Sequence, residues 1–473
     1  MVYDVIFDEL NPEQLRAVEA VEGPVCILAG AGSGKTTTIT RRLANQVTSG
    51  AFAPDSLLAV TFTRKAADEM RSRLARLGVE GVRAMTFHAA ALSQLTSFRP
   101  GSVGGVLSSK AEILVPLARS LPPPHKFTPV ADLAAEIEWA KNQRITPDRY
   151  KRALGEHLPP IPEDHMARIF ASYENQKSAR NVMDFEDILG ATIQMFESDE
   201  TARAGFRARI KAITVDEYQD VNLLQQSLLD LWLGERDELC AVGDDYQAIY
   251  SFTGATPDFL LEMPSRFPDA HVVKLERSYR STPQVLDVAN RLVPELKGAK
   301  KVLVTDNEDG PEPVLKGFFD SDRETRFVIE QVAELHGDGI SYEDIAIFYR
   351  TNAKSEIYED ALTEASIPFQ VRDLGAIEPG AKRRPRRTRD AVGVNLLTLH
   401  SAKGLEFEAV FVPALEEGEI PYRRATESSL PEERRLLYVG ITRAKKHLHV
   451  SWSIKKPSRF VTEIKPKAPK ESA

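Results

Sequence analysis

The sequence predicts an α/β fold made of two parallel-sheet, nucleotide-binding domains with a helical insertion in the first. Short apolar runs at Val25–Ala29, Leu57–Phe62, Ile213–Asp216 and Leu239–Gly243 alternate with helix-like segments, the pattern of strands joined by crossover helices. A second series runs through His271–Leu275, Asp344–Tyr349, Val394–Leu399, Ala409–Pro413 and His447–Ser451. The third observation is a glycine-rich turn, Ala29-Gly-Ala-Gly-Ser-Gly-Lys-Thr36, set between the first apolar run and a helical stretch.

Taken in order, residues 1–86 and 186–270 read as the first sheet domain. Between them, residues 87–185 lose the β pattern. Ala131–Asn142 and Glu163–Ser178 have helical spacing there, punctuated by Pro122-Pro123-Pro124 and Pro159-Pro160-Ile161-Pro162. Residues 271–371 and 392–455 read as the second sheet domain, split by a short basic loop at 372–391. The tail 456–473 is rich in Lys and Pro and is expected to be disordered.

Length and charge bound the function. A chain of 473 residues exceeds one ordinary core and suits a multidomain protein. A net charge of −8 argues against coating nucleic acid by global charge, so any nucleic-acid site must be local. Cys26 and Cys240 both lie in apolar runs and read as buried thiols of a reducing compartment, with no cysteine set for a metal. The amino terminus lacks a basic segment followed by an apolar one, and no run approaches the ~18 apolar residues of a membrane span. A soluble, cytoplasmic protein is expected.

Two motifs carry chemistry. In a strand–turn–helix setting, the backbone N–H groups of the glycine-rich turn cradle phosphate oxygens, Lys35 reaches the β and γ phosphates, and the Thr36 hydroxyl is a Mg²⁺ ligand. ATP with Mg²⁺ is the expected ligand pair of such a P-loop NTPase. The second motif, Ile213-Thr-Val-Asp-Glu-Tyr-Gln-Asp220, ends a strand in adjacent carboxylates. Asp216 suits Mg²⁺, usually through water, and Glu217 suits polarisation of the attacking water.

Further segments stand in a fixed order: Leu10-Asn-Pro-Glu-Gln14, Val60-Thr-Phe-Thr-Arg-Lys-Ala-Ala67, Thr86-Phe-His88, Val242-Gly-Asp-Asp-Tyr-Gln-Ala-Ile-Tyr250, Tyr279-Arg-Ser-Thr282, Leu399-His-Ser-Ala-Lys-Gly-Leu-Glu-Phe407 and Glu433-Arg-Arg-Leu-Leu-Tyr-Val-Gly-Ile-Thr-Arg443. With these, the chain resembles the UvrD/Rep-type superfamily 1 DNA helicases from Leu10 to about Ser451. The resemblance implies two RecA-like domains with ATP in the cleft between them. It implies that Gln14 reads the adenine edge, Tyr279 stacks on the base and Gln247 senses the γ phosphate. Glu406 would lie near the ribose and phosphates. Arg280 and Arg443 would reach the γ phosphate from the second domain when the cleft closes, so Lys35, Asp216, Glu217, Gln247, Arg280 and Arg443 form the catalytic set. Ala29, Gly30, Ala31, Gly32, Ser33, Gly34, Lys35, Thr36 and Thr37 complete the nucleotide contacts. Single-stranded DNA would lie on Phe62, Phe185, Tyr250 and Phe252, with polar contacts from Thr63, His88 and His400. Taken singly, Gln14 also suits a surface helix, Tyr279 a core, and each arginine a surface ion pair.

Three departures from the family pattern stand out. Thr37 replaces an arginine that flanks adenine, Phe252 replaces the commoner Trp, and Thr253 replaces an arginine. The family's accessory domain, inserted in the second motor domain, is reduced here to the loop at 372–391. Its Lys382-Arg-Arg-Pro-Arg-Arg387 run and Arg389 read either as a solvated linker or as contacts to duplex phosphates. The expected activity is ATP-driven movement along single-stranded DNA, 3′ to 5′, with strand separation or protein displacement. Its substrate would be single-stranded DNA or DNA with a 3′ single-stranded tail, its partner a repair or replication protein, with no membrane. The other class left open is a DNA-binding remodeller or regulator switched by ATP without processive unwinding.

Overall fold

The computed structural model describes residues 2–101, 103–372 and 392–466. The strands in chain order are β1 Val25–Ala29, β2 Leu57–Thr61, β3 Arg83–Thr86, β4 Gly105–Val106, β5 Val182–Met183, β6 Ala212–Val215 and β7 Leu239–Gly243, followed by β8 His271–Leu275, β9 Val314–Phe318, β10 Ile345–Tyr349, β11 Phe369–Val371, β12 Val394–Thr398, β13 Phe407–Val412 and β14 Ala444–Ser453. Twelve of them form two six-stranded sheets, ordered β3-β2-β6-β7-β1-β8 and β11-β12-β10-β13-β14-β9, and β4 pairs with β5 in a separate two-stranded one, with every pairing parallel. The α/β class with two parallel sheets is therefore as the sequence predicts.

Parallel strands are buried on both faces, so their sequences read as continuous apolar runs. The period of two still decides which face each side chain enters. Val25, Ile27 and Ala29 of β1 join the core formed with the helix Lys35–Thr48, whereas Cys26 and Leu28 join the core of Phe87, Phe196 and Trp232 on the other face. Cys26 and Cys240 thus lie on adjacent strands but enter opposite cores, and both are free thiols. The second sheet repeats the arrangement: Ala346 and Phe348 face one core, Ile345, Ile347 and Tyr349 the other.

Several features differ from the sequence reading. His271–Leu275 does not begin the second sheet; it pairs in register with β1 and forms an edge of the first. Its alternating exposure fits a one-sided edge strand, a property its mixed sequence shares with strands of either sheet. Strands β3, β9 and β11 escape the sequence pattern because each is short or partly exposed. The helix Phe87–Phe98 buries Phe87, Ala90, Ala91 and Leu95 in the core of the first sheet, while the separate helical core of the insertion starts at Leu107 and includes Ile137, Tyr150, Phe170 and Tyr173.

The insertion is fastened by a buried ion network. Lys141 and Lys177 converge on Asp184 and Asp187, which also form a reciprocal cap at the start of the helix Phe185–Ser198. Asp184 is held well below the usual carboxylate range because these lysines outweigh the burial that opposes its charge. Glu174, Asp184 and Asp187 cluster closely enough for a cation, but the two ammonium groups already neutralise them. No helix among the described residues is long and apolar enough to cross a membrane. The tail expected to be disordered from residue 456 is instead structured through residue 466: Phe460 and the short helix Val461–Ile464 pack into a core of the second sheet. The arginine-rich run 382–389 and residues 467–473 lie outside the described residues.

Candidate functional site: a nucleotide cavity beside an aromatic face

The carboxyl ends of β1, β6 and β7 meet at one place, which is where open parallel sheets bind ligands. After β1 the chain turns through Gly32 and Gly34, with φ of 72° and 79°. Gly32 excludes a side chain on space as well, since a Cβ there would sit 2.8 Å from Arg280 Cβ, while one on Gly34 would sit 2.6 Å from Gln14 Nε2 and displace that amide. The helix Lys35–Thr48 begins there without a side-chain cap, so its first N–H groups remain directed at the turn, an arrangement that favours anions.

Lys35 Nζ lies 2.8 Å from Glu217 Oε1. Burial opposes the lysine charge, but Glu217 and Asp216 outweigh it and hold the pKa above the usual range. Burial also opposes ionisation of Glu217, yet Lys35 and Lys403 hold that carboxyl down at about 2. Asp216 moves the other way, pushed up to about 7 by burial and by the Glu217 charge. The two neighbouring acids are therefore differentiated by which cations reach them. Glu217 adopts a left-handed backbone with φ 54° and ψ 39°, a conformation uncommon for a residue with a side chain and concentrated at functional sites.

Gln247, on the turn after β7, donates from Nε2 to Asp244 Oδ2 at 2.6 Å, and its Oε1 accepts from Arg443 Nη2 at 3.2 Å. Arg443 is almost fully buried and also bonds the carbonyls of Val439 and Leu405. Burial, with Arg280 adding, lowers its pKa to about 9, and it keeps its charge at neutral pH. Arg280 donates from Nε to Glu406 Oε2 at 2.7 Å and from Nη1 to the Thr442 carbonyl at 3.1 Å. The sequence reading places Arg280 on the second domain. In the structure it follows the edge strand β8 of the first sheet, and the neighbouring Tyr279 N donates to the Gly32 carbonyl at 2.9 Å. Its guanidinium spans from that strand to the loops of the second sheet.

These side chains surround one cavity of about 530 Å³, lined by Gly30, Gly32 to Thr37, Glu217, Gln247, Tyr279, Arg280, Glu406 and Arg443, together with Arg73, Lys403, Gly404 and Lys445. Ala29 and Ala31 are buried in the cores beneath and do not line it. Asp216 lies behind Glu217, whose backbone N–H it accepts at 2.9 Å. Gln14 is buried beneath the turn: its Nε2 donates to the Ser33 carbonyl at 3.0 Å and its Oε1 accepts from Asn11 N. Asn11 in turn donates to the Tyr279 hydroxyl at 2.9 Å, linking Gln14 to the half-exposed aromatic across the mouth.

Sequence reasoning missed Arg73 and Lys403. Arg73 reaches Thr37 Oγ1 at 3.3 Å, which puts a cation beside the position where the family arginine is absent. Nothing in a helix that also carries Arg71 and Arg76 marks it from sequence. Lys403 bonds Asp220 and the Gln247 carbonyl and lies 4.9 Å from the Tyr250 ring centroid, so it touches the cavity and the aromatic face together.

That face begins at Tyr250. Phe252, 53% exposed, meets Tyr250 and His400 edge-on at centroid distances of 6.1 and 5.7 Å. Across a cleft of about 380 Å³ lined by both Phe252 and Phe185, Phe185 is 49% exposed and meets His88 edge-on at 5.7 Å. Burial lowers His88 to about 4 and His400 to about 3, with nearby Lys110 and Arg350 adding, respectively; both rings are neutral at pH 7. Phe62 packs partly into the core beside Phe87. Exposed Thr63 uses its hydroxyl to cap the helix Arg64–Arg76. The Phe62 ring and the Thr63 hydroxyl are thus both engaged within the protein.

Fold and site together define a P-loop protein whose phosphate turn is faced by arginines and whose neighbouring surface carries exposed aromatic rings. Residues 10–268 match the UvrD/REP helicase N-terminal domain, and residues 273–376 and 381–455 match the UvrD-like helicase C-terminal domain. The chain belongs to the UvrD/REP helicase family. It is 38% identical over 577 aligned residues to the ATP-dependent DNA helicase UvrD2 of Mycobacterium tuberculosis (strain H37Rv), an alignment covering 98% of this chain and 82% of the relative. It is 34% identical over 388 residues to UvrD1 of the same organism, covering 78% and 50%. With the ATP-dependent DNA helicase PcrA of Staphylococcus aureus (strain NCTC 8325) the identity is 32% over 380 residues, covering 78% and 51%.

Proposed function

We propose that the chain is an ATP-dependent DNA helicase motor that moves along single-stranded DNA from 3′ to 5′, and separates strands or strips bound protein as it moves. The observation that carries this reading is the one cavity in which Lys35, Thr36 and Glu217 of the first sheet meet Glu406 and Arg443 of the second. ATP is the nucleotide, with Gln14 and Tyr279 at the base and the glycine-rich turn at the phosphates. Ionised Glu217 is the general base for water, a role worth ~10² to 10⁴ in rate. To reach the phosphates, Lys35 must leave Glu217 and Arg280 must leave Glu406. Nucleotide therefore replaces contacts that the protein makes with itself.

A divalent cation fits the site by donor chemistry, since the Thr36 hydroxyl and the Asp216 carboxylate are hard oxygen ligands. Bound Mg²⁺ would neutralise developing charge on the phosphates. Arg443 and Arg280, held by loops of both sheets, make turnover depend on how the sheets approach each other; alternating closure then becomes directed motion of the strand. DNA lies on Tyr250, Phe252, Phe185, His88 and His400, with Phe62 and Thr63 at its margin. The substrate is single-stranded DNA or a duplex with a 3′ single-stranded tail, and the setting is the cytoplasm with a repair or replication protein as partner.

A second reading is favoured by one observation: the alignment with UvrD2 spans 577 positions, more than this chain's 473 residues. The relative therefore carries segments without a counterpart here. If these engage duplex, this chain is a translocase or remodeller without processive unwinding. ATPase activity with and without single-stranded DNA, measured beside displacement from a 3′-tailed duplex, separates the readings. Stimulation with displacement supports the helicase, and stimulation alone supports the translocase. No hydrolysis under either condition refutes the motor.

A further inference from the structure

Behind the nucleotide cavity lies a lysine with no exposed surface. Lys301 belongs to the segment that follows the helix Pro283–Leu292, and its side chain is 0% exposed. Its ammonium lies 3.0 Å from Asp244 Oδ1, bonds Asp245 Oδ1, and stands 4.3 Å from the ring centroid of Tyr246. The backbone reinforces the docking: Ala299 N donates to Asp245 Oδ2 at 2.9 Å, and a Cβ on Gly298 would collide with that same carboxylate. Burial alone would drive the proton off, but Asp244 and Asp245 outweigh it and keep Lys301 charged.

The geometry beyond the pair leads to the cavity. Asp244 Oδ1 accepts from Tyr246 N at 3.2 Å as well as facing Lys301, and Asp244 Oδ2 accepts from Gln247 Nε2 at 2.6 Å. That bond leaves Gln247 Oε1 to accept from Arg443, and both Gln247 and Arg443 line the cavity. Lys301 does not line it. A buried ion pair is a weak source of net stability compared with apolar packing, so its contribution is the orientation it imposes.

We propose that Lys301 is a positioning residue for hydrolysis: it pins Asp244, Asp244 sets the carboxamide of Gln247, and Gln247 with Arg443 is thereby aimed at the terminal phosphate. This rests on the reading of Gln247 as the γ-phosphate sensor. With Lys301 removed, Asp244 loses its cationic anchor and Gln247 loses a fixed partner, while the turn and Tyr279 that bind ATP keep their contacts. The loss falls on turnover and spares nucleotide binding.

The test is DNA-stimulated ATPase kinetics of Lys301→Met in the wild-type protein and in a Gln247→Ala background. The expected result is a drop in kcat of about tenfold or more in the wild-type protein, as for misplaced catalytic geometry, with KM for ATP within about twofold. In the Gln247→Ala background the same change alters kcat by less than about twofold, because residues acting through one another are non-additive. An equal drop in both backgrounds, or an unchanged kcat in the wild-type protein, overturns the proposal while leaving the sensor reading intact. A wild-type kcat for Gln247→Ala alone overturns the sensor reading and the proposal with it. If Lys301→Met does not fold, as judged by its melting transition, the charge-neutral pair Lys301→Met with Asp245→Asn is measured in both backgrounds against the same outcomes.

Discussion

Removing the side-chain amides of Asn142 and Gln143 should weaken DNA binding although neither residue lies on the aromatic face. Asn142 Nδ2 donates to the Thr253 carbonyl at 2.8 Å and Gln143 Nε2 donates to the Gly254 carbonyl at 3.0 Å. These bonds come from the end of the helix Val130–Asn142 in the insertion and grip the turn Ser251–Thr253 that carries Phe252. A neutral hydrogen bond contributes ~1 kcal/mol net, so Asn142→Ala with Gln143→Ala loosens the turn by about 2 kcal/mol. Stacking of one base on one ring contributes ~1 to 3 kcal/mol. The loss in affinity is capped by the smaller of the two terms, about 2 kcal/mol, which is roughly 30-fold in Kd. The assay is fluorescence anisotropy of a labelled oligothymidine with the double variant, with Phe252→Ala, and with all three changes combined. The triple variant should bind no more weakly than Phe252→Ala alone, and ATPase activity without DNA should be unchanged. A change in Kd below twofold for the double variant, or full additivity with Phe252→Ala, would refute the reasoning.

Other expectations follow from the site. Glu217→Gln should retain ATP binding in a nucleotide-fluorescence titration while turnover falls by ~10² or more, as expected for loss of a general base; a rate within tenfold of wild type would reassign the base. Tyr279→Ala should raise KM for ATP by about fivefold, since an aromatic contact contributes ~1 kcal/mol, with kcat little changed; a change confined to kcat would remove its role at the base. His88 and His400 have folded pKa values of about 4 and about 3, below the ordinary 6.5. Their stability contribution is therefore fully present above 6.5 and is lost as pH falls through that value toward the folded ones, because the unfolded chain takes up protons the folded chain refuses. Denaturant titrations from about pH 7 to pH 5 should show a shallower decline for His88→Gln with His400→Gln than for the wild type. Parallel curves would contradict the burial of these rings.

The motif residues were legible because each uses a chemistry that narrows the residue type. A turn with φ near +75° at Gly32 and Gly34 calls for glycine, and the roles proposed for the end of β6, a cation ligand and a base, call for adjacent carboxylates. Buried strands such as β1, β7 and β10 announce themselves as apolar runs because both faces are covered. β8 was assignable as a strand but not to a sheet, since pairing with β1 depends on residues far away in sequence.

From the amino-acid sequence alone come the α/β class, the nucleotide turn, the Asp216–Glu217 pair and the order of motifs, all of them local in chain or set by residue chemistry. Only the tertiary structure decided that Arg280 follows an edge strand of the first sheet, that Arg73 reaches Thr37, that Lys403 joins the cavity to Tyr250, and that Lys301 is buried against Asp244 and Asp245. A lysine or arginine has the same sequence appearance whether it is solvated or paired. What separates the two cases is the set of carboxylates, carbonyls and rings that the fold carries to it from tens to hundreds of residues away.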